Sequence, residues 1–152
     1  MRGYIKSAAV AVALGLATFV GSSAVIAKPT YTGLFGNTAA GGYDVVSYFT
    51  GKGTPQQGNK TFSVTYQGAT YLFTNKANAD AFKALPAKYA PQYGGYCAWA
   101  MAGGSKAPGD PEYYRVVGGK LYLNYSKGVQ DKWVKDIQGF ITKANGEWGK
   151  IS

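Results

Sequence analysis

Two stretches of the chain carry the pattern of a β-hairpin, one by alternation and one by its turn. Phe62, Val64 and Tyr66 alternate with Ser63 and Thr65, the period of a half-buried strand. Gln67-Gly68-Ala69 makes a turn, and Tyr71-Leu72-Phe73 returns. Further on, Tyr114-Arg115-Val116-Val117 and Lys120-Leu121-Tyr122-Leu123 flank Gly118-Gly119. That pair of glycines permits the positive φ angles of a tight primed turn, and this is the strongest hairpin signal in the sequence. Helical spacing replaces alternation elsewhere. Asn75 is placed to cap a helix running to about Leu85, with Asn78, Ala81, Phe82 and Leu85 inward and Pro86 as a stop. Ser126 is placed to cap a final helix. Val129, Trp133, Ile137, Phe140, Ile141 and Ala144 share its inner face, Gln130, Lys132, Lys135 and Asp136 point away, and Trp148 completes the packing. The mixed charges on its polar face favour docking on its own sheet over lying on a membrane.

The central stretch, Tyr89 to Gly104, also reads as helical. Pro91 fits a first turn, Gly103-Gly104 supplies a C-terminal exit, and Tyr93, Cys97, Ala100 and Met101 form one apolar stripe. Gly94 and Gly95 are poor residues for that first turn, which points to close approach of another backbone or a ligand. Gly51–Asn59 and Ser105–Pro111 read as loops, and Gly41–Phe49 as a compact apolar strand or turn entering the core. The expected fold is a small single α+β domain, two β-hairpins packed with about three helices. No internal repeat is evident in the sequence.

The N-terminus adds a compartment. Arg2 and Lys6 precede an uncharged apolar run from Ser7 to Val20, and Val25-Ile26-Ala27 resembles a cleavage signature. Residues 1–27 therefore read as a secretory signal peptide, 28–41 as a linker or arm, and 42–148 as the domain. The apolar run is shorter than the ~20 residues of a spanning helix, so a retained anchor is the runner-up. The expectation is a periplasmic or secreted protein with no stable membrane span after cleavage near Ala27.

Charge and composition narrow the chemistry. The formal charge is +9, or +7 once Arg2 and Lys6 are removed, and the lysines are scattered rather than clustered. Nucleic-acid readers usually concentrate their bases on one face, so no nucleic-acid partner is expected. The chain has no histidine and only seven carboxylates. General acid–base and nucleophilic catalysis usually rest on a group poised near neutral pH, so no catalytic residue is assigned and no enzyme is expected. Its single cysteine, Cys97, cannot form an internal disulfide.

Several blocks together resemble the exported YHS-domain proteins. They are Gly42-Tyr43-Asp44-Val45-Val46-Ser47-Tyr48-Phe49, Tyr66 through Phe73, Phe82 through Tyr89, Pro91 through Ala98, and Gly119 through Asn124. The resemblance spans about Gly41 to Trp148. It implies a small module whose wider family is associated with copper or related ions. Two metal-binding cysteines of that pattern fall here on Thr74 and on Ala77 or Asn78, none of which is a soft-metal ligand.

Three readings of function follow. The first is an exported non-catalytic YHS-like binding module for a small ligand, with candidate residues Tyr43, Asp44, Tyr48, Tyr93, Tyr96, Cys97 and Trp99. Asp44 fits local backbone capping better than a ligand role. The alternative is soft-metal handling, with copper held by Cys97 and Met101 at i, i+4. A structural or interaction protein contacting another envelope component is a further alternative.

Overall fold

The computed structural model describes residues 29–151; the proposed signal peptide lies outside the described residues. The fold is α+β, a small single domain built on two antiparallel two-stranded sheets. Strands β1 (Asn59–Tyr66) and β2 (Ala69–Phe73) form one hairpin, and β3 (Asp110–Val117) and β4 (Lys120–Asn124) form the other. The helical segments are α1 (Lys76–Ala84), α2 (Pro86–Tyr89), α3 (Ala98–Met101), α4 (Lys127–Trp133) and α5 (Ile137–Gly149), with short 3-10 turns between them.

The hairpins stand where alternation places them, and so do two helix starts. The Asn75 side chain accepts from the Asn78 N–H and the Ser126 hydroxyl from the Val129 N–H, each satisfying a free donor of a first turn. Leu85, expected inward, is 56% exposed, because α1 stops at Ala84 and the backbone turns at Leu85 before Pro86.

Two helices expected to be continuous are broken. The final one divides at a 3-10 turn, Val134–Asp136. Asp136, expected to point away, accepts from the Gly139 N–H and starts α5 afresh. A Cβ at position 139 would overlap that carboxylate, so the cap requires glycine. The central stretch is interrupted more severely. Tyr93 and Gly94 take left-handed dihedrals in a 3-10 turn, Tyr96 is extended, and beyond Tyr89 only Ala98–Met101 is α-helical. The expected close approach at Gly94 is there: a Cβ would overlap the Pro29 carbonyl oxygen, and the neighbouring Tyr31 N–H donates to the Gly94 carbonyl at 2.8 Å.

The structure also contains an internal repeat. Tyr43 bridges Gln57 and Tyr96 bridges Pro108 in the same antiparallel sense. The Asp44 N–H donates to Gln56 O at 2.8 Å, and the Cys97 N–H to Ala107 O at 2.9 Å. Each hairpin carries a register shift at the same place, between Asn59 and Ser63 and between Asp110 and Tyr114. Each is followed by a side-chain-capped helix whose first turn holds an i, i+4 ion pair, Lys76–Asp80 or Lys127–Asp131. Residues 58–84 thus correspond to 109–135, displaced by 51 positions, while the preceding bends at Asp44 and Cys97 are 53 apart.

Each half carries its own aromatic stack. Tyr71 lies against Phe82, with ring centroids 4.6 Å apart, and the corresponding Tyr122 against Trp133 at 5.5 Å. The first core holds Val45, Val46, Tyr48, Phe73 and Phe82. The second holds Tyr93, Met101, Trp133 and Ala144, closed by Phe140 and Ile141 of α5. Strand β4 joins them: Leu121 and Leu123 enter the first core and Tyr122 the second, as the two-residue period of a strand requires.

Candidate functional site

The bend after Tyr43 buries Asp44 completely. Oδ1 accepts from the backbone N–H groups of Val46 at 2.9 Å and Ser47 at 3.2 Å. Oδ2 accepts from the Thr74 N–H at 2.9 Å, its hydroxyl at 2.8 Å and the Asn78 amide at 2.7 Å. A buried carboxylate is tolerated only when its lone pairs are filled, and here five donors fill them. Asp44 ties the Tyr43–Phe49 bend to the start of α1. Beside it is a pocket of about 300 Å³ with polar walls, including Gln56, Thr74 and Asn78.

The bend of the second half buries Cys97 in the corresponding place, 1% exposed. Its thiol lies 3.7 Å from Oδ1 of Asn124, a fully buried residue at the end of β4. The same Oδ1 accepts from the Trp99 N–H at 3.3 Å, the counterpart of the Val46 N–H. Asn124 Nδ2 is buried and has no hydrogen-bond partner among the described residues. The adjoining pocket, about 190 Å³, is walled by Trp99, Ala100, Ala107, Tyr125 and Val129 with Cys97 among them. Ala100, Ala107, Tyr125 and Val129 take the places of Ser47, Gln56, Thr74 and Asn78, so a polar pocket in one half is apolar in the other. Lys132 Nζ lies over the Trp99 ring, 5.4 Å from its centroid.

Of the candidate ligand-binding residues, Cys97 and Trp99 share a cavity and the others lie apart from it. Tyr48 is buried in the first core and donates to Pro111 O at 2.9 Å; burial, reinforced by Glu112, holds its hydroxyl well above the usual tyrosine range. Tyr93 is buried in the second core and donates to Asn145 Oδ1 at 2.9 Å, its pKa raised by burial and by Tyr122. Tyr43 donates to Glu112 Oε1 at 2.7 Å, which raises its pKa, and Tyr96 packs on Tyr31 and Trp148.

Cys97 and Met101, suggested for copper, lie immediately before α3 and at its last residue. Met101 is fully buried in the second core, whereas Cys97, the non-helical cap residue of α3 whose carbonyl accepts from the Met101 N–H at 2.9 Å, borders the pocket of Trp99 and Val129. Thr74 and Asn78 turn donors, not lone pairs, toward Asp44. Among the described residues there is no group of three His, Cys, Asp or Glu residues arranged to hold a metal ion.

A cleft of about 690 Å³ lies between the halves. Gly42, Gln57 and Leu72 line it from the first half, Gly109, Asp110 and Tyr125 from the second, and Tyr31, Thr32 and Thr38 from the arm. Its volume falls within the ~300–1,000 Å³ common for small-molecule sites, with mixed apolar and hydrogen-bonding walls. The sequence reading did not include these residues. No protein-family model, curated protein or solved structure matches the chain.

Proposed function

We propose that the chain is an exported, non-catalytic binding module of the YHS type that holds a small polar organic ligand in the cleft between its two halves. The observation that carries this reading is the cleft itself, about 690 Å³ and walled by both halves and the arm. Its polar groups differ in kind: an amide at Gln57, a carboxylate at Asp110, and hydroxyls at Tyr31, Thr38 and Tyr125. Such a set suits a ligand with several hydrogen-bonding groups on a partly apolar frame. Asp110 already accepts from the Glu112 N–H at 2.9 Å through Oδ1, so the turn holds its carboxylate in place. The absence of histidine supports binding over conversion. No helix among the described residues is long and apolar enough to cross a membrane.

Native mass spectrometry of the protein purified after export tests the reading. The expected result is a noncovalent organic adduct lost in Gln57→Ala and Asp110→Ala, which keep their circular dichroism, and retained in Trp99→Ala. An adduct insensitive to both cleft substitutions, or none in the native protein, contradicts it.

A further inference from the structure

Around Trp99 the second half presents an apolar surface where the first half presents a polar one. Trp99 lines two adjoining hollows, of about 190 Å³ and about 390 Å³, which have Ala100 in common as well. We propose that these hollows bind a single-chain aliphatic carboxylate, with its chain against Trp99 and Phe140 and its head held by Lys132 and Lys143.

The difference between the halves is the first support. Ala100 and Val129 stand where the first half has Ser47 and Asn78, which turns a hydrogen-bonding wall into one that water wets poorly. Trp99 takes the position of Val46, but Val46 is buried in the first core and Trp99 is 36% exposed. The larger hollow also gains Phe140 and Lys143 from α5, beyond the stretch over which the halves correspond.

Charge is the second support. Lys132 Nζ lies 5.4 Å from the Trp99 ring centroid and Lys143 Nζ 5.9 Å from that of Phe140, so both ammonium groups stand at the aromatic walls. Neither forms an ion pair among the described residues, and no carboxylate lines either hollow. Glu147, which comes close to Gly104 beside the larger hollow, is paired with Lys150 at 2.7 Å. An anionic head is the charge that such a rim attracts.

The walls select the rest of the ligand. Ser105 brings the one side-chain hydroxyl of the larger hollow and Tyr125 that of the smaller. A ligand with many polar groups would lose its water there without regaining hydrogen bonds, whereas each methylene buried is favourable. The site meets the cleft between the halves only at Tyr125 and selects different chemistry, one charge and a chain in place of several hydrogen-bonding groups.

Isothermal titration of the purified native protein with decanoate tests the proposal, with 1-decanol and phosphatidylglycerol vesicles as separate arms. Decanoate should bind, the vesicles should not, and 1-decanol, which offers the two lysines no charge, should bind about tenfold more weakly. Trp99→Ala should weaken decanoate about tenfold, the loss expected when an aromatic anchor is removed. Lys132→Gln and Lys143→Gln should each weaken it about threefold, the scale of an exposed charge pair. Lys76→Gln, which opens an ion pair of the first half, should leave the affinity unchanged. Val129→Asn, which imports the first-half residue, decides independently if Trp99→Ala does not fold, and should weaken decanoate to a similar degree. No decanoate binding, equal affinity for 1-decanol, binding to vesicles alone, or full affinity in Trp99→Ala or Val129→Asn overturns the proposal. So does a loss in Lys76→Gln equal to that in Lys132→Gln.

Discussion

Asp44 and Cys97 stand at the same bend of two similar halves, but their environments differ. The first is enclosed by five donors with polar neighbours, the second shares one buried amide and borders an apolar pocket. The same backbone therefore supports a fully satisfied carboxylate on one side and, on the other, a thiol beside an amide whose Nδ2 has no partner among the described residues. A buried network with every partner present rigidifies its surroundings, whereas one with a missing partner marks where structure has been traded for something else. The comparison separates scaffold from candidate chemistry without reference to any other protein.

The largest expected effect tests the equivalence of the halves. Phe82→Ala and Trp133→Ala each empty the centre of one core and should each cost about 3–5 kcal/mol in urea unfolding. A negligible cost at either site breaks the correspondence. The bends come next. Asp44→Asn turns a donor into a ring of donors and should cost about 2–4 kcal/mol, while Cys97→Ala removes one weak contact and should cost about 1–2 kcal/mol. Equal losses would remove the asymmetry.

Alkaline pH sharpens the contrast through another matched pair. Burial pushes the Tyr71 hydroxyl up to about 12 and also raises Tyr122. The unfolded chain releases these protons near pH 10 while the folded chain keeps them, so stability is complete below pH 10 and falls as pH rises toward 12. Tyr71→Phe should reduce that loss more than Tyr122→Phe, as followed by circular dichroism across the alkaline range. The smallest effect belongs to the exposed pairs Lys76–Asp80 and Lys127–Asp131. Lys76→Met and Lys127→Met should each change stability by less than about 0.5 kcal/mol, measured in the same urea titrations.

Both hairpins and the caps at Asn75 and Ser126 were legible in the sequence, because alternation, glycine turns and capping residues act locally. The break between Tyr89 and Gly104 was not. Its apolar spacing is helical, but Tyr93 and Gly94 take left-handed dihedrals, as Ala40 and Gly41 do in the first half, and Gly94 packs against Pro29, more than sixty residues away in sequence. The split at Asp136 was hidden for a related reason: Ile137, Phe140 and Ile141 keep helical spacing across a cap that restarts the helix. The repeat was obscured because its identities, such as Tyr71 with Tyr122 and Lys76 with Lys127, are few. What the halves share is the path of the backbone more than the side chains. The cleft was illegible because residues of both halves and the arm form it only after folding.

Native-state hydrogen exchange at the amides of Val46 and Trp99 tests the asymmetry most directly, because the two occupy matching positions and bond to Asp44 and Asn124 respectively. The Val46 amide should exchange only with global unfolding, and the Trp99 amide faster by roughly a hundredfold through local opening of the second bend. Equal protection at the two amides, or slower exchange at Trp99, would contradict a fully satisfied first bend and a less satisfied second one.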